Sequence, residues 1–376
     1  MTKMIKHGTK LAILALFTLI ILTGCTRVFT DIDKISSYLS SQKKRGASAD
    51  DPIHLVVKIN LQNTADEESN WQKLLKTINT SGLYVTLDLS SSTMPGTELN
   101  PAPAVNTGKK FVVSLILPDT TETIAGVNNL VMFRHFENLT SVSAKNVKII
   151  SVAAFRDLKL TSISFPAATE IGLNAFYGTA ITEASFPNVA VIGSGAFFGC
   201  SQLVSVDFPV ATEIGNTAFA RTALTTVSFP LVKNIGAEAF VNSATLTSAS
   251  FPAATSIGNN AFAECKALKS IEIPLVETIG NWAFSGSGLE SIDIPLATSI
   301  GTSAFWGCND LATVTLGTLT SANFIRVVRS SYWWQETQTT YITFPGNLRQ
   351  VYLGDDGGPG TYVKEGDSWT KLGTTL

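Results

Sequence analysis

The chain has 376 residues, of which only 15% are charged: 27 Lys and Arg against 29 Asp and Glu, a formal net charge of −2. Globular proteins usually carry about 25% charged residues; here Ser and Thr fill the exposed positions instead. Residues 151–316 hold 6 basic and 12 acidic residues and no histidine, so the basic stripe of a nucleic-acid binder is missing and nucleic acid is not expected as a partner. The three histidines, His7, His54 and His135, stand apart from cysteines and paired acids, which leaves no zinc-type spacing. No phosphate-binding loop, nucleophile elbow or dinucleotide fingerprint occurs. The expectation is no cofactor, no metal and no catalytic residue.

In chain order, Lys3, Lys6 and Lys10 precede an apolar run of 12 residues, Leu11 to Leu22. That run suits a secretory signal and falls short of the roughly 20 residues needed to span a bilayer. It ends in Leu22-Thr23-Gly24-Cys25, which resembles the bacterial lipoprotein signal. The resemblance implies that residues 1–24 are removed and that Cys25 is the lipidation site. Thr26 follows instead of the aspartate of an inner-membrane retention cue, which implies outer-membrane sorting in a cell with two membranes. Two or more acyl chains anchor stably where one is reversible. Residues 25–50 are polar, with Lys43, Lys44 and Arg45 together, and read as a lipid-anchored linker or, over Ile32 to Leu39, a brief helix.

Residues 51–138 read as an N-terminal cap and degenerate first coils. Strands are expected over Leu55 to Ile59, Tyr84 to Leu89 and Val112 to Pro118, and an amphipathic helix over Ser69 to Asn79. A Pro/Gly-rich insertion runs from Met94 to Gly108.

Residues 139–316 repeat with a period of 21 or 22. The template is Leu-x-Ser/Thr-Ile/Val-x-Phe/Ile-Pro, four residues, Ile-Gly-x-x-Ala-Phe, and a short polar link. Its prolines are Pro166, Pro187, Pro209, Pro230, Pro252, Pro274 and Pro295, and its phenyl column runs from Phe155 through Phe176, Phe197, Phe219, Phe240, Phe262 and Phe284 to Phe305. A fixed period of this length marks a solenoid, whose units bury their apolar faces only against their neighbours. Alternation turns Leu160, Ile163 and Phe165 inward and Ser162 and Ser164 outward. Proline then ends the strand for want of an amide proton, and Ile-Gly permits a close backbone approach. The Ala-Phe segment is expected to make a short helical turn. Links ending at Thr179, Thr222 and Ser287 are one residue shorter than those at Cys200, Ser243, Cys265 and Cys308. The loop should absorb this difference and leave strand and Phe registers intact.

Phe-Pro, Ile-Gly and Ala-Phe recurring in that order resemble the BspA-like class of leucine-rich repeats, found on surface proteins of oral and gut bacteria and of spirochaetes. SNWQKLLKTINTSGLYVTLDLS and GTYVKEGDSWTKL are similar to segments that bracket the repeats in treponemal members. The resemblance implies a leucine-rich repeat solenoid, β-rich with short strands and helical or 3-10 turns, capped at both ends. It also implies surface exposure and adhesion to host or bacterial surface proteins, with no shared catalytic residue. The alternative is a periplasm-facing envelope scaffold without a host ligand.

Residues 317–376 read as a C-terminal cap. Ser330 to Trp334, Tyr341 to Pro345 and Val351 to Leu353 look strand-like, and Thr361 to Leu372 a hairpin turning at Gly366-Asp367. An adhesive patch at Trp333, Trp334 and Trp369 is the other reading of this aromatic region.

The candidate binding residues are the outward strand positions: Ser162 and Ser164, Glu183 and Ser185, Ser205 and Asp207, Thr226 and Ser228, Ser248 and Ser250, Ser270 and Glu272, and Ser291 and Asp293, with Thr313 and Thr315 in the same columns. They describe either a hydrogen-bonding platform for a protein or other extracellular macromolecule, or a merely solvated β surface. Tyr177, Phe198, Trp306 and Trp282 form a second candidate, for which packing between coils is the competing account. Cys200, Cys265 and Cys308 share one column, with two of them separated by two coils. At about 4.8 Å per coil they are too far apart for a disulfide and are expected as unpaired core residues.

Overall fold

The computed structural model describes residues 27–42, 45–101, 108–125, 133–318, 348, 352, 359–365 and 368–372. The signal segment, Cys25, Trp333 and Trp334, and the strands expected over 330–334 and 341–345 lie outside the described residues, as does most of 351–353.

Each coil has three sides. The first is a strand such as Ser248–Ser250, paired in parallel with the strands before and after it as part of the front sheet. This sheet starts with Val28–Phe29, Ile53–Val57, Val85–Asp88 and Val112–Ile116, and ends its parallel run at Thr313–Leu316. From Ser162–Ser164 to Ser291–Ile294 the chain turns at proline after the front strand. In the second repeat the Ala168 amide donates to the Phe165 carbonyl at 3.1 Å, a four-residue turn with proline where its fixed φ fits. The second side is a two-residue strand such as Glu170–Ile171. Ten of these, from Glu98–Leu99 to Ser299–Ile300, form one unbroken parallel back sheet. Like sits on like: Ile171 pairs with Ile192, and Ile192 with Ile214.

From Glu170–Ile171 onward a glycine follows each back strand, required by proximity and not by φ. A Cβ on Gly236 would lie 2.6 Å from the Gly215 carbonyl carbon, and one on Gly301 would lie 2.4 Å from the Asn281 nitrogen.

The third side differs from expectation. The Ala-Phe segment contains no helical turn; it is a run of tight turns in which two residues per coil adopt left-handed backbone. Two residues before the phenylalanine φ is 52–61°, at Ala153, Asn174, Gly195, Thr217, Glu238, Asn260, Trp282 and Ser303. Two residues after it φ is 57–75°, at Asp157, Gly178, Gly199, Arg221, Asn242, Glu264, Gly286 and Gly307. This geometry points alternate amides along the solenoid axis. Asn174, Phe176 and Gly178 donate to the carbonyls of Ser194, Ala196 and Phe198 in the next coil at 2.8–2.9 Å, and successive coils repeat the pattern. A helix would have spent those donors within the coil; the turns make a third ladder of them. Backbone donors and acceptors are thereby paired on the turn side as they are in the back sheet.

The interior is filled by the column from Phe155 to Phe305. Successive rings lie 5.1–5.4 Å apart and within 15° of parallel. All eight are fully buried, each stabilising by roughly 2–3 kcal/mol relative to exposure.

Register is kept in the back sheet and in the phenyl column, but the front ladder is interrupted at three places. Pairing stops between Ser162–Ser164 and Glu183–Ser185, between Ser205–Asp207 and Thr226–Ser228, and between Ser270–Glu272 and Ser291–Ile294. These are the steps spanned by the short links at Thr179, Thr222 and Ser287. The Thr225 and Glu290 amides reach the preceding coil at 3.4 and 3.2 Å, where full-length links give 2.8–2.9 Å at Val204, Thr247, Lys269 and Ala312. Phe208 and Phe229 are 6.2 Å apart across one interruption, against 5.4 and 5.6 Å for the flanking pairs. One missing residue starts the strand too early to meet its neighbour. The equally short link from Phe155 to Leu160 carries Leu158 instead of Thr or Ser, and its ladder is intact.

At the N-terminal end, Val28–Phe29 pairs with Ile53–Val57, followed by α1 (Ile32–Ser41) and α2 (Asn70–Ser81). α1 packs on α2. Phe29, Ile35 and Leu39 are buried in the common core, so this part of the stretch read as a linker is packed against the solenoid. Ser69 caps α2 by accepting from the Gln72 amide, and Gly82 ends it at φ 64°. At the other end Gly360–Glu365 adds antiparallel to Thr313–Leu316, and Ser368–Lys371 adds to it in turn. Tyr362 and Trp369 are buried there, which places Trp369 in packing, not on a surface patch.

Candidate functional site

The front strands expose every second side chain. Ser164, Glu183, Ser185, Ser205, Asp207, Thr226, Ser228, Ser270, Glu272, Ser291 and Asp293 are exposed, and Ser162, Ser248 and Ser250 are half-buried. The alternation thus brings all the predicted positions onto one face, in two columns along the axis. Two acids are held by a hydroxyl of the preceding coil: Ser185 Oγ donates to Asp207 Oδ2 at 3.3 Å, and Ser250 Oγ to Glu272 Oε2 at 2.6 Å. None of the ion pairs among the described residues involves Glu183, Asp207, Glu272 or Asp293. Beside this face Lys269 bridges Glu290 at 3.1 Å and Asp310 at 3.3 Å, and its hydrogen bonds to them raise its pKa. The face therefore offers hydroxyl donors and four carboxylates without cationic partners, an arrangement suited to hydrogen bonding with an extended, amide- or cation-bearing surface.

One set of residues escaped the sequence reading. Val210, Leu231, Leu275 and Leu296 each follow the strand-ending proline, and each keeps 38–49% of its surface exposed. They line the corner between front and back sheets as an apolar ridge. The signal was present as an apolar residue after Pro209, Pro230, Pro274 and Pro295, where Ala or Asn stands in other units. It was hidden because core assignment stopped at the proline.

On the turn face, Tyr177 and Phe198 stack at 4.8 Å and 7°. Arg156 lies 4.5 Å above the tyrosine ring and Arg221 5.5 Å from the phenylalanine ring. Both aromatic faces are taken, as packing between coils predicts. Trp282 and Trp306 are different: their rings meet edge to face at 5.8 Å and 67°, and Trp306 is 55% exposed.

The three cysteines are free and buried. Cys200 Sγ, Cys265 Sγ and Cys308 Sγ donate to the carbonyls of Phe176, Phe240 and Phe284 at 3.1 Å. Burial raises their pKa values to about 11, 12 and 11, so they remain thiols at neutral pH. Among the described residues no group of His, Cys, Asp or Glu could hold a metal ion, and no helix is long and apolar enough to cross a membrane.

No curated protein matches the chain. Among solved structures it is similar to a leucine-rich cell surface protein from Faecalibacterium prausnitzii, with 21% identity over 78% of this chain and 83% of that one and a TM-score of 0.35. It is also similar to the pneumococcal vaccine antigen PcpA, with 17% identity over 55% and 68% and a TM-score of 0.29. A leucine-rich repeat protein from Bacteroides ovatus gives 20% identity over 56% and 75% and a TM-score of 0.25. The sequence model of the BspA type leucine-rich repeat region matches residues 129–247 and 233–353. That match takes in more than half of the chain, and the protein therefore belongs to the BspA-type leucine-rich repeat family.

Proposed function

We propose that this is an exported, lipid-anchored surface protein whose front sheet binds proteins, with adhesion to host or bacterial surface proteins as its role. The observation that carries the reading is the front face itself. Hydroxyls and carboxylates without cationic partners stand in axial columns, bordered by the apolar ridge of Val210, Leu231, Leu275 and Leu296. Protein interfaces combine an apolar strip with hydrogen-bonding groups around it in this way. Cys25 is the proposed anchor, and outer-membrane sorting follows from Thr26. The segment before the repeats and the C-terminal hairpin are proposed to close the two ends of the stack, since terminal units must turn one face to water.

The test uses the chain from Thr26 onward, because Phe29, Ile35 and Leu39 belong to the core. Captured extracellular-matrix and bacterial surface proteins are compared between this form and a variant with Asp207, Glu272 and Asp293 replaced by lysine. Capture of a defined partner that falls at least tenfold in the variant supports the proposal; equal capture by both removes the front sheet from it. Protease treatment of intact cells tests orientation. Repeats that survive until the outer membrane is breached would make the protein a periplasm-facing scaffold instead.

A further inference from the structure

Trp282 occupies the left-handed position two residues before its core phenylalanine, with φ 58°. In the other seven repeats that position holds Ala, Asn, Gly, Thr, Glu, Asn or Ser, all small or polar. Bulky side chains rarely adopt this conformation, so an indole is an unusual choice at a position where the ladder between coils imposes it. One coil later Trp306 is 55% exposed, more than any other large apolar side chain among the described residues. Two independent oddities, a strained tryptophan and an exposed one, thus meet edge to face at 5.8 Å.

We infer that the Trp282–Trp306 corner is a binding site for neutral pyranose oligosaccharides. An indole face carries the negative lobe of its quadrupole and attracts the weakly positive C–H groups on the flat face of a sugar ring. Trp306 supplies that platform, and Trp282, turned 67° to it, supplies a side wall that orients the ring. Gly307 follows at φ 75° and adds no side chain next to the Trp306 indole. Asn281 precedes Trp282; its Oδ1 accepts from the Thr302 amide at 2.8 Å, which fixes the side chain and leaves its NH2 group for sugar hydroxyls. The excess of acids in the repeats (12 against 6 basic residues) disfavours acidic sugars. A protein partner fits less well. Stable protein contacts bury about 800 Å² per side around an apolar centre, whereas the same column in the two preceding coils offers only the buried Ser285 and Ala263.

The experiment titrates the chain from Thr26 onward with maltotriose, cellotriose and chitotriose, read by tryptophan fluorescence and by calorimetry. Trp306→Ala and the front-face lysine variant are titrated alongside, with circular dichroism as the check on folding. The expected result is saturable binding of at least one trisaccharide, weakened at least tenfold by Trp306→Ala, partly restored in Trp306→Phe, and unchanged in the front-face variant. Absence of saturable binding to all three, equal binding by Trp306→Ala, or a loss confined to protein capture would each overturn the inference. Because the turn face and the front sheet are probed by separate variants, this outcome is independent of the proposed protein-binding role.

Discussion

Lys109 is 1% exposed in the short 3-10 turn Lys109–Phe111, with its Nζ 5.8 Å from the Phe136 ring. No ion pair among the described residues involves it, and burial lowers its pKa from 10.5 to about 8. The folded value lies below the unfolded one, so between about pH 8 and 10.5 the unfolded chain binds more protons and stability rises with pH. At pH 7 the penalty is fully present, about 3–4 kcal/mol at 1.4 kcal/mol per unit. Lys109→Met is therefore expected to stabilise the fold by that order at pH 7 and to lose its advantage above pH 10.5. Urea unfolding at pH 7 and at pH 10.5 measures both; an equal gain at the two pH values would contradict the argument. Nothing in Lys109-Lys110-Phe111 announced this burial. It depends on α2 and on the Phe133 and Phe136 loop meeting there, and a single-sequence pattern carries no such distance. The core columns, by contrast, were legible residue by residue, because a side chain that recurs every 21 or 22 positions can only face its own copies.

At the level of the coil, strand positions followed from alternation and the proline corner, and the outward columns of the candidate site followed with them. The turn face did not. Left-handed backbone is usually announced by glycine or asparagine, yet five of the eight residues before the phenylalanine are Ala, Thr, Glu, Trp or Ser. The next coil's carbonyls impose the conformation, and local propensity yields to them. The interrupted front ladder was foreshadowed by link length but misjudged, since the loop was expected to absorb the whole difference. Its cause is testable. One alanine inserted after Ala223 would match the Thr222–Leu224 link to the Ser243–Leu246 link. Amide exchange at Thr226–Ser228 is then expected to slow at least tenfold as pairing to Ser205–Asp207 forms. Unchanged exchange would acquit the link. The same interruptions leave Ile163 and Val206 half-exposed and Ile271 at 9%, while Ala184 and Ile292 stay at 2%.

Across the whole molecule, contacts run from each coil to its neighbours, so stability is a sum of units and interfaces. Phe219 stacks on Phe197 and Phe240 at 5.4 Å on both sides. Phe219→Ala removes two interfaces at once and is expected to cost about 3–5 kcal/mol. In a chain of nearest-neighbour units this loss divides the stack, and urea unfolding should resolve into two steps, the coils before and after Phe219 melting separately. A single transition shifted as a whole would show longer-range cooperativity. The stacking of coils was legible from the period alone, while the N-terminal end was only half legible. There Ile35 and Leu39 stand at helical spacing and announce the helix, but in so polar a stretch neither they nor the lone Phe29 show which surface receives them.

The third ladder also has a direction. Every coil hands its free amides forward and receives those of the coil behind, so each is a plug on one side and a socket on the other. Copying or deleting one complete coil leaves both connections valid wherever it happens. Such a molecule can change length in evolution by whole rungs, keeping its joints while the reach of its surface grows or shrinks.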